Sequence, residues 1–173
     1  QCQIVDMPSM PMPENPVKEE ISVFTWTDAI LQGKIKMLFS IAGNALINQH
    51  SDINRTKQIL EDETMCEFIV CSDLFMTSSV KYADLVLPAT SLLEDENLIT
   101  PWNQGSFLGV SNQVIPPIGE SRFEFEWLRE VAEKLDIAEE FSCGHSDYKE
   151  WLKQIYEDYR SADMPSYEEL KKE

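Results

Sequence analysis

The chain has 173 residues, of which 43% are hydrophobic and 26% are charged. This length and balance are typical of a globular protein that buries a core of its own, which excludes fibrous and largely disordered classes. Fourteen Lys and Arg residues against 31 Asp and Glu residues give a formal net charge of -17. Such a charge repels phosphate backbones and anionic lipid headgroups, so it argues against nucleic acid as a partner and against a membrane-surface role.

Residues 1–24 are predicted to form an extended arm or linker. Four prolines in this stretch disfavour both helix and β-ladder: Pro8, Pro11, Pro13 and Pro16. Because the chain opens at Gln1 with no initiator methionine, we expect it to be a piece of a longer polypeptide. No apolar run approaches the roughly 18 to 20 residues needed to span a bilayer, so we expect the piece itself to be soluble.

Three short apolar runs, separated by helical patterns, are predicted to be buried β-strands. They cover residues 35–41, 67–71 and 85–87. Strands that are apolar throughout and alternate with helices are typical of a parallel sheet covered on both faces. We therefore predict an α/β fold, a Rossmann-like three-layer domain with a parallel sheet flanked by helices.

The helices that accompany these strands are short. One is predicted over residues 28–31, and a helical turn begins at residues 77–79. Between the first two strands a helix runs through residues 55–60, and either Asp52 or Asn54 can be its N-cap.

The later part of the chain is predicted to be mostly helical. Residues 91–119 are polar and contain several glycines and prolines, so we interpret them as an irregular excursion. Helices return at residues 125–135 and 147–159, where apolar side chains recur at helical spacing. We predict that residues 25–173 form a single domain whose helical portion begins at about residue 120.

The cysteine, histidine and acidic residues form no complete catalytic or metal-binding pattern. Cys66 and Cys71 flank an apolar run and are interpreted as small half-buried hydrophobic residues rather than as metal ligands or a catalytic thiol. His50 directly precedes a helix, which favours a solvated or capping role. The acidic run at residues 94–96 is expected to be a solvated face or cap. We predict no catalytic residue and no metal ligand in this chain.

Four polar residues lie at the ends of the predicted strands: Asn44, Ser72, Asp73 and Thr90. In an open parallel sheet, ligands bind outside the carboxyl ends of the strands, so these residues are expected to line one edge of the sheet. Their donors and acceptors suit a nucleotide base or sugar. The Asp73 carboxylate matches the two N–H donors of guanine, but helix caps and turns also use aspartate, and this pattern leaves both interpretations open.

Several segments carry a family resemblance. Residues 42–56 read AGNALINQHSDINRT, residues 76–79 read MTSS, and residues 81–84 read KYAD, with Leu87 and Pro88 following. These segments closely resemble the catalytic A subunits of bacterial anaerobic dimethyl sulfoxide reductases, within the molybdopterin oxidoreductase family. The resemblance extends over nearly the whole chain and is looser in its later part.

The resemblance implies a domain that helps to hold a bis(molybdopterin guanine dinucleotide) cofactor carrying molybdenum. It implies cofactor contacts at Asn44, Ser72 and Asp73, with Asp73 at the guanine end. Asp95 and Glu124 lie where relatives place further cofactor contacts, commonly a Lys and an Asp respectively. The iron–sulfur cluster and the molybdenum ligand are expected in other parts of a longer chain, so this piece alone is expected to be inactive.

The resemblance also implies a role in anaerobic respiration. The full-length protein is expected to reduce dimethyl sulfoxide or a related S- or N-oxide with electrons from a membrane quinol pool. Its expected partners are the remaining domains of the same chain, an iron–sulfur electron-transfer subunit and a membrane anchor subunit. The complex is expected on the bacterial cell envelope, exported to the periplasmic face.

Other functions stay open alongside this one. A structural domain could keep the fold and lack the cofactor, as in the iron–sulfur subunit of respiratory complex I. A related molybdopterin reductase or dehydrogenase could act on another substrate. An independent nucleotide-binding module is disfavoured, because the chain contains neither GxGxxG nor GxxxxGK(S/T), the glycine-rich phosphate-binding motifs.

Overall fold

The computed structural model describes residues 25–49, 52–99 and 108–172. The predicted arm at residues 1–24 and the predicted capping role of His50 lie outside these ranges. The chain divides into two compact units, and the boundary falls between Ala89 and Thr90. We call the described residues up to Ala89 the first unit and those from Thr90 onward the second unit. The single domain expected over residues 25–173 stays a prediction.

The first unit is an α/β unit with a three-stranded parallel sheet in the order β1-β2-β3. Its elements are α1 (Trp26–Leu31), β1 (Met37–Ile41), α2 (Ala45–Asn48), α3 (Ile53–Leu60), β2 (Phe68–Asp73), a 3₁₀ turn (Val80–Tyr82) and β3 (Leu85–Pro88). All three predicted strands are present, and helices separate the first two. The predicted fold class, an α/β fold with a parallel sheet flanked by helices, is confirmed.

One face of this sheet carries the core of the first unit. Ile69 and Cys71 of β2 lie on this face and are 1% exposed. They belong to one buried cluster with Ile30 of α1, Leu46 of α2, Ile59 and Leu60 of α3, Cys66 of the loop before β2 and Val80 of the 3₁₀ turn. Cys66 and Cys71 are therefore small hydrophobic residues as predicted, but they are buried rather than half-buried, at 3% and 1% exposed. Burial also raises the pKa of both thiols, which keeps them protonated.

The opposite face of β1 is exposed, in contrast to the expected burial. Met37, Phe39 and Ile41 are 45%, 49% and 43% exposed. The physical reason is topological. When parallel strands follow one another without a reversal of order, right-handed connections place their helices on the same face. Both connections of this sheet contribute to the one core cluster, so neither covers these three side chains.

The second unit combines a small sheet with helices. Its elements are β4 (Asn97–Ile99), β5 (Gly109–Ser111), α4 (Glu124–Lys134), α5 (Ala138–Ser142), α6 (Tyr148–Tyr159) and α7 (Tyr167–Leu170). The helices predicted at residues 125–135 and 147–159 are present within one residue of their predicted ends. The interpretation of residues 91–119 as irregular is wrong in part, because β4 and β5 pair antiparallel within it.

The acidic run is buried, and its interpretation as a solvated face is wrong. Glu94, Asp95 and Glu96 are each 5% exposed. Glu94 accepts hydrogen bonds from the backbone N–H and hydroxyl group of Ser91 and from the backbone N–H of Ile118. These donors replace water, which is why a carboxylate can be buried here.

The described helices include none that is long and apolar enough to cross a membrane.

Candidate functional site

The ends of two neighbouring strands bring Asn44 and Asp73 to the same edge of the sheet. The strands β1 and β2 are parallel, with Ile41 paired to Ser72. Asp73 is the last residue of β2, and Asn44 follows the end of β1 by three residues. The backbone N–H of Ala42 donates a 2.9 Å hydrogen bond to the carbonyl oxygen of Ser72, so the two exits stay adjacent. The predicted position of Asn44 and Asp73 at one edge is confirmed.

A tight turn after β1 places Asn44. Ala42 adopts a φ of 53°, in the left-handed region that side chains other than glycine seldom occupy. Gly43 follows, and a Cβ there would meet only ordinary contacts at 3.9 Å or more. The chain passes from the end of β1 to α2 through residues 42–44, and Asn44 is the N-cap residue of α2.

The side chain of Asn44 is held by Ser79, which lies just before the 3₁₀ turn. Its carbonyl oxygen Oδ1 accepts hydrogen bonds from the backbone N–H of Ser79 at 2.9 Å and from the hydroxyl group of Ser79 at 2.7 Å. The amide nitrogen of Asn44 makes no hydrogen bond among the described residues. Asn44 is half-buried, so this nitrogen can offer its two protons to a ligand.

Asp73 offers acceptors at the same edge. One carboxylate oxygen accepts a 3.2 Å hydrogen bond from the backbone N–H of Phe75, which orders the turn after β2. The carboxylate is half-buried, and its other oxygen makes no hydrogen bond within the described part of the chain. Phe75 and Met76 are 74% and 64% exposed in the same loop. Counting only the described residues, the edge therefore combines an unpaired carboxylate oxygen, an unpaired amide NH₂ group and apolar surface.

Ser72 differs from its neighbour in accessibility. It is 1% exposed, so its hydroxyl group is shielded from solvent. A direct contact between this hydroxyl group and a ligand would need local rearrangement.

Thr90 and Asp95 lie together in the second unit. The hydroxyl group of Thr90 donates a 2.7 Å hydrogen bond to one carboxylate oxygen of Asp95. The other carboxylate oxygen of Asp95 is buried and has no hydrogen-bond partner among the residues that the structure describes. An unpartnered buried oxygen is costly unless a donor from elsewhere reaches it, so Asp95 fits a ligand contact. Glu124, the last predicted site residue, is the first residue of α4 and is partly buried.

The described residues include no group of three or more His, Cys, Asp or Glu side chains placed to hold a metal ion. An open groove of about 460 Å³ lies between α4 and α6. It is lined by none of the predicted site residues, and its Arg122 is paired with Glu130 at 2.6 Å.

Sequence reasoning missed Ser79 as a member of this edge. Its partner Asn44 lies 35 residues earlier in the chain, and nothing in the local pattern of residues 77–79 distinguishes Ser79 from its neighbours. The predicted role of this stretch, the start of a helical turn, is confirmed by the 3₁₀ turn at Val80–Tyr82.

Comparison with known proteins gives consistent matches. The chain is 38% identical to dimethyl sulfoxide reductase DmsA of Escherichia coli (strain K12), over 95% of this chain and 23% of that protein. It is 26% identical to trimethylamine-N-oxide reductase of Vibrio vulnificus (strain YJ016), over 90% of this chain and 21% of that protein. Among solved structures, acetylene hydratase from Pelobacter acetylenicus matches 65% of this chain and 15% of its own, with a TM-score of 0.56 and 30% identity.

The chain spans less than a quarter of the length of these relatives. Residues 9–134 match the sequence profile of the family described as molybdopterin oxidoreductase, which is more than half of the chain. The profile match and the extent of the identity with DmsA agree with each other. The chain belongs to the molybdopterin oxidoreductase family.

Proposed function

We propose that this chain is a cofactor-binding part of a molybdopterin-dependent oxidoreductase. The observation that carries the proposal is that Asn44 and Asp73 lie on one edge of the sheet. Among the described residues, Asn44 has an unpaired amide donor and Asp73 an unpaired carboxylate acceptor. Ligands of open parallel sheets bind at this edge. A guanine base presents both an acceptor oxygen and N–H donors, so it matches both side chains.

The proposed ligand is bis(molybdopterin guanine dinucleotide) with molybdenum. When bound, this group supplies a redox centre, and the residues of this chain bind and orient it. Asp73 accepts hydrogen bonds from the guanine end of the cofactor, and Asn44 donates a hydrogen bond to the cofactor. Ser72 is a buried member of the same edge. Thr90, Asp95 and Glu124 are further proposed contacts. One buried carboxylate oxygen of Asp95 has no donor within the described ranges, so a ligand donor can reach it.

The proposed reaction of the full-length protein is the reduction of dimethyl sulfoxide or a related S- or N-oxide in anaerobic respiration. Support comes from the names of the relatives, which include reductases of dimethyl sulfoxide and trimethylamine N-oxide. One relative is named acetylene hydratase, so family membership alone does not fix the substrate. A molybdopterin reductase or dehydrogenase with another substrate is the second candidate.

The proposed assembly has several parts. The remaining domains of the same chain complete the cofactor site and carry an iron–sulfur cluster. A separate iron–sulfur subunit delivers electrons, and a membrane anchor subunit ties the complex to the periplasmic face of the cell envelope. Because this chain contributes no proposed catalytic residue, we expect the 173 residues alone to show no turnover with reduced dye and an S-oxide.

Substitution of Asp73 tests the proposal. In the longer protein, Asp73→Ala is expected to lower cofactor content, because guanine donors lose a charged partner worth about 1 to 3 kcal/mol. The measurement is molybdenum and guanine nucleotide per polypeptide in purified protein. Glu140→Ala is the control, since Glu140 is exposed on α5. Equal cofactor content in the two variants would remove Asp73 from the site.

A further inference from the structure

We propose that Ser79 is a positioning residue for the ligand edge. It fixes the amide of Asn44 so that the NH₂ group, and not the carbonyl oxygen, is available to an acceptor oxygen of the cofactor. The inference rests on the proposed function, because it assumes that Asn44 contacts the cofactor. It adds a residue and a direction: the contact at Asn44 is a donated hydrogen bond.

The orientation of the amide follows from the chemistry of its partner. A backbone N–H can only donate, and that of Ser79 lies 2.9 Å from Asn44. The Asn44 atom that receives it must therefore be the carbonyl oxygen. A flipped amide would place its NH₂ group against the backbone N–H group of Ser79, where no hydrogen bond can form.

Ser79 is itself held in one orientation. It is fully buried, and its hydroxyl oxygen accepts a 3.1 Å hydrogen bond from the backbone N–H of Ile47. With that oxygen accepting from Ile47, the hydroxyl proton points to Asn44 at 2.7 Å. The hydrogen bonds thus run in one direction, from Ile47 through Ser79 to Asn44, and each polarises the next. The amide of Asn44 is anchored at α2 and at the 3₁₀ turn.

The consequence is that Asn44 presents a hydrogen-bond donor, and not an acceptor, to a ligand. Both hydrogen bonds from Ser79 are made to the carbonyl oxygen, and the NH₂ group makes none among the described residues. The edge therefore presents a donor after β1 and an acceptor, Asp73, after β2. A ligand with an acceptor oxygen at one end and N–H donors at the other can therefore bind in one orientation only. Its acceptor oxygen faces Asn44, and its N–H donors face Asp73.

Four variants of the longer protein test this inference by the rate at which cofactor dissociates from purified protein. Asn44→Asp keeps the oxygen that accepts from Ser79 and replaces the NH₂ group with an oxygen. It should release cofactor at least about tenfold faster, the loss of one hydrogen bond to a polar ligand, with no large change in melting temperature. Ser79→Ala should release cofactor faster as well, and Ser79→Thr, which keeps the hydroxyl group, should restore the slow rate. Ser142→Ala is the control, because it removes a buried hydroxyl group that donates to Ala138 in the second unit.

A double variant separates positioning from a purely structural role. If Ser79 acts through Asn44, then adding Ser79→Ala to Asn44→Ala should not increase the dissociation rate further. The inference would be overturned if the double variant released cofactor faster than Asn44→Ala alone, or if Asn44→Asp released cofactor as slowly as the wild type. If Asn44→Ala itself releases cofactor no faster than the wild type, the proposed contact at Asn44 fails. If Asn44→Ala is fast while Ser79→Ala and Asn44→Asp are slow, the contact stands and only the role of Ser79 fails.

Discussion

The hydroxyl group of Tyr167 donates a 2.7 Å hydrogen bond to the buried carboxylate of Glu96. The other oxygen of that carboxylate receives the ammonium group of Lys171 at 2.6 Å. Burial alone would raise the pKa of Glu96, but the hydrogen bonds from Lys171 and Tyr167 outweigh it, so the pKa lies below its ordinary value. These contacts attach α7 to the segment that leads into β4.

Removing the tyrosine hydroxyl group should destabilise the second unit. Tyr167→Phe keeps the ring, which packs 5.6 Å from the ring of Tyr156, but leaves a buried carboxylate oxygen of Glu96 without its donor. We expect the free energy of unfolding to fall by about 1 to 3 kcal/mol. Urea denaturation of the 173-residue chain, followed by tryptophan fluorescence, measures this change.

An exposed ion pair between α6 and α7 provides the matched control. Lys153 and Glu168 lie 2.8 Å apart, and their side chains are 49% and 61% exposed. Because water screens this pair, Glu168→Gln should change the free energy of unfolding much less than Tyr167→Phe does. An equal loss in Glu168→Gln and Tyr167→Phe would contradict the special role of the buried contact.

The carboxylate of Glu94 should make the stability of the folded chain depend on pH. Hydrogen bonds from the hydroxyl group and backbone of Ser91 and from the backbone of Ile118 lower the pKa of Glu94 to about 2. Because the pKa of Glu94 is lower in the folded state, its carboxylate stabilises the fold at pH values above the unfolded pKa of 4.5. This stabilisation is lost as the pH falls toward 2. Glu94→Gln should therefore lower the melting temperature more at about pH 6 than at about pH 3.

The control for this titration is Glu140→Gln, an exposed glutamate of α5. Its melting temperature should follow that of the wild type at both pH values. A constant difference between Glu94→Gln and the wild type across the pH range would show that the Glu94 carboxylate does not titrate as described.

The N-cap of α3 gives a test of local helix stability. The sequence left Asp52 and Asn54 as alternatives, and in the structure the Asp52 carboxylate accepts a 3.1 Å hydrogen bond from the backbone N–H of Arg55. Asp52→Ala should lower the free energy of unfolding by about 1 kcal/mol. Asn54→Ala, an exposed position inside the helix, should cost less, and the reverse order in a denaturation series would contradict the assignment.

The sequence was most informative where local pattern and structure coincide. The apolar runs at residues 35–41, 67–71 and 85–87 correspond to β1, β2 and β3 because each run is bounded by polar residues or proline. The helix α2 was missed because four residues are too few to show a helical period, and β4 and β5 were missed because each has only three.

Relationships between distant residues escaped the sequence for a different reason. The burial of Glu94 and Glu96 depends on donors such as Ile118 and Tyr167, which lie 24 and 71 residues away. The bond between Ser79 and Asn44 is of the same kind. The positions of Asn44 and Asp73 after neighbouring strands could be predicted, because the carboxyl ends of parallel strands are marked by where the apolar runs stop.

The content of the purified longer protein tests the central claim most directly. The claim is that the edge carrying Asn44 and Asp73 holds a molybdopterin guanine dinucleotide. We predict that the wild type contains molybdenum together with two guanine nucleotides per metal, and that the double variant Asn44→Asp and Asp73→Ala loses both. A folded wild-type protein that carries iron–sulfur clusters but neither molybdenum nor guanine nucleotide would contradict the claim and favour a structural domain without the cofactor.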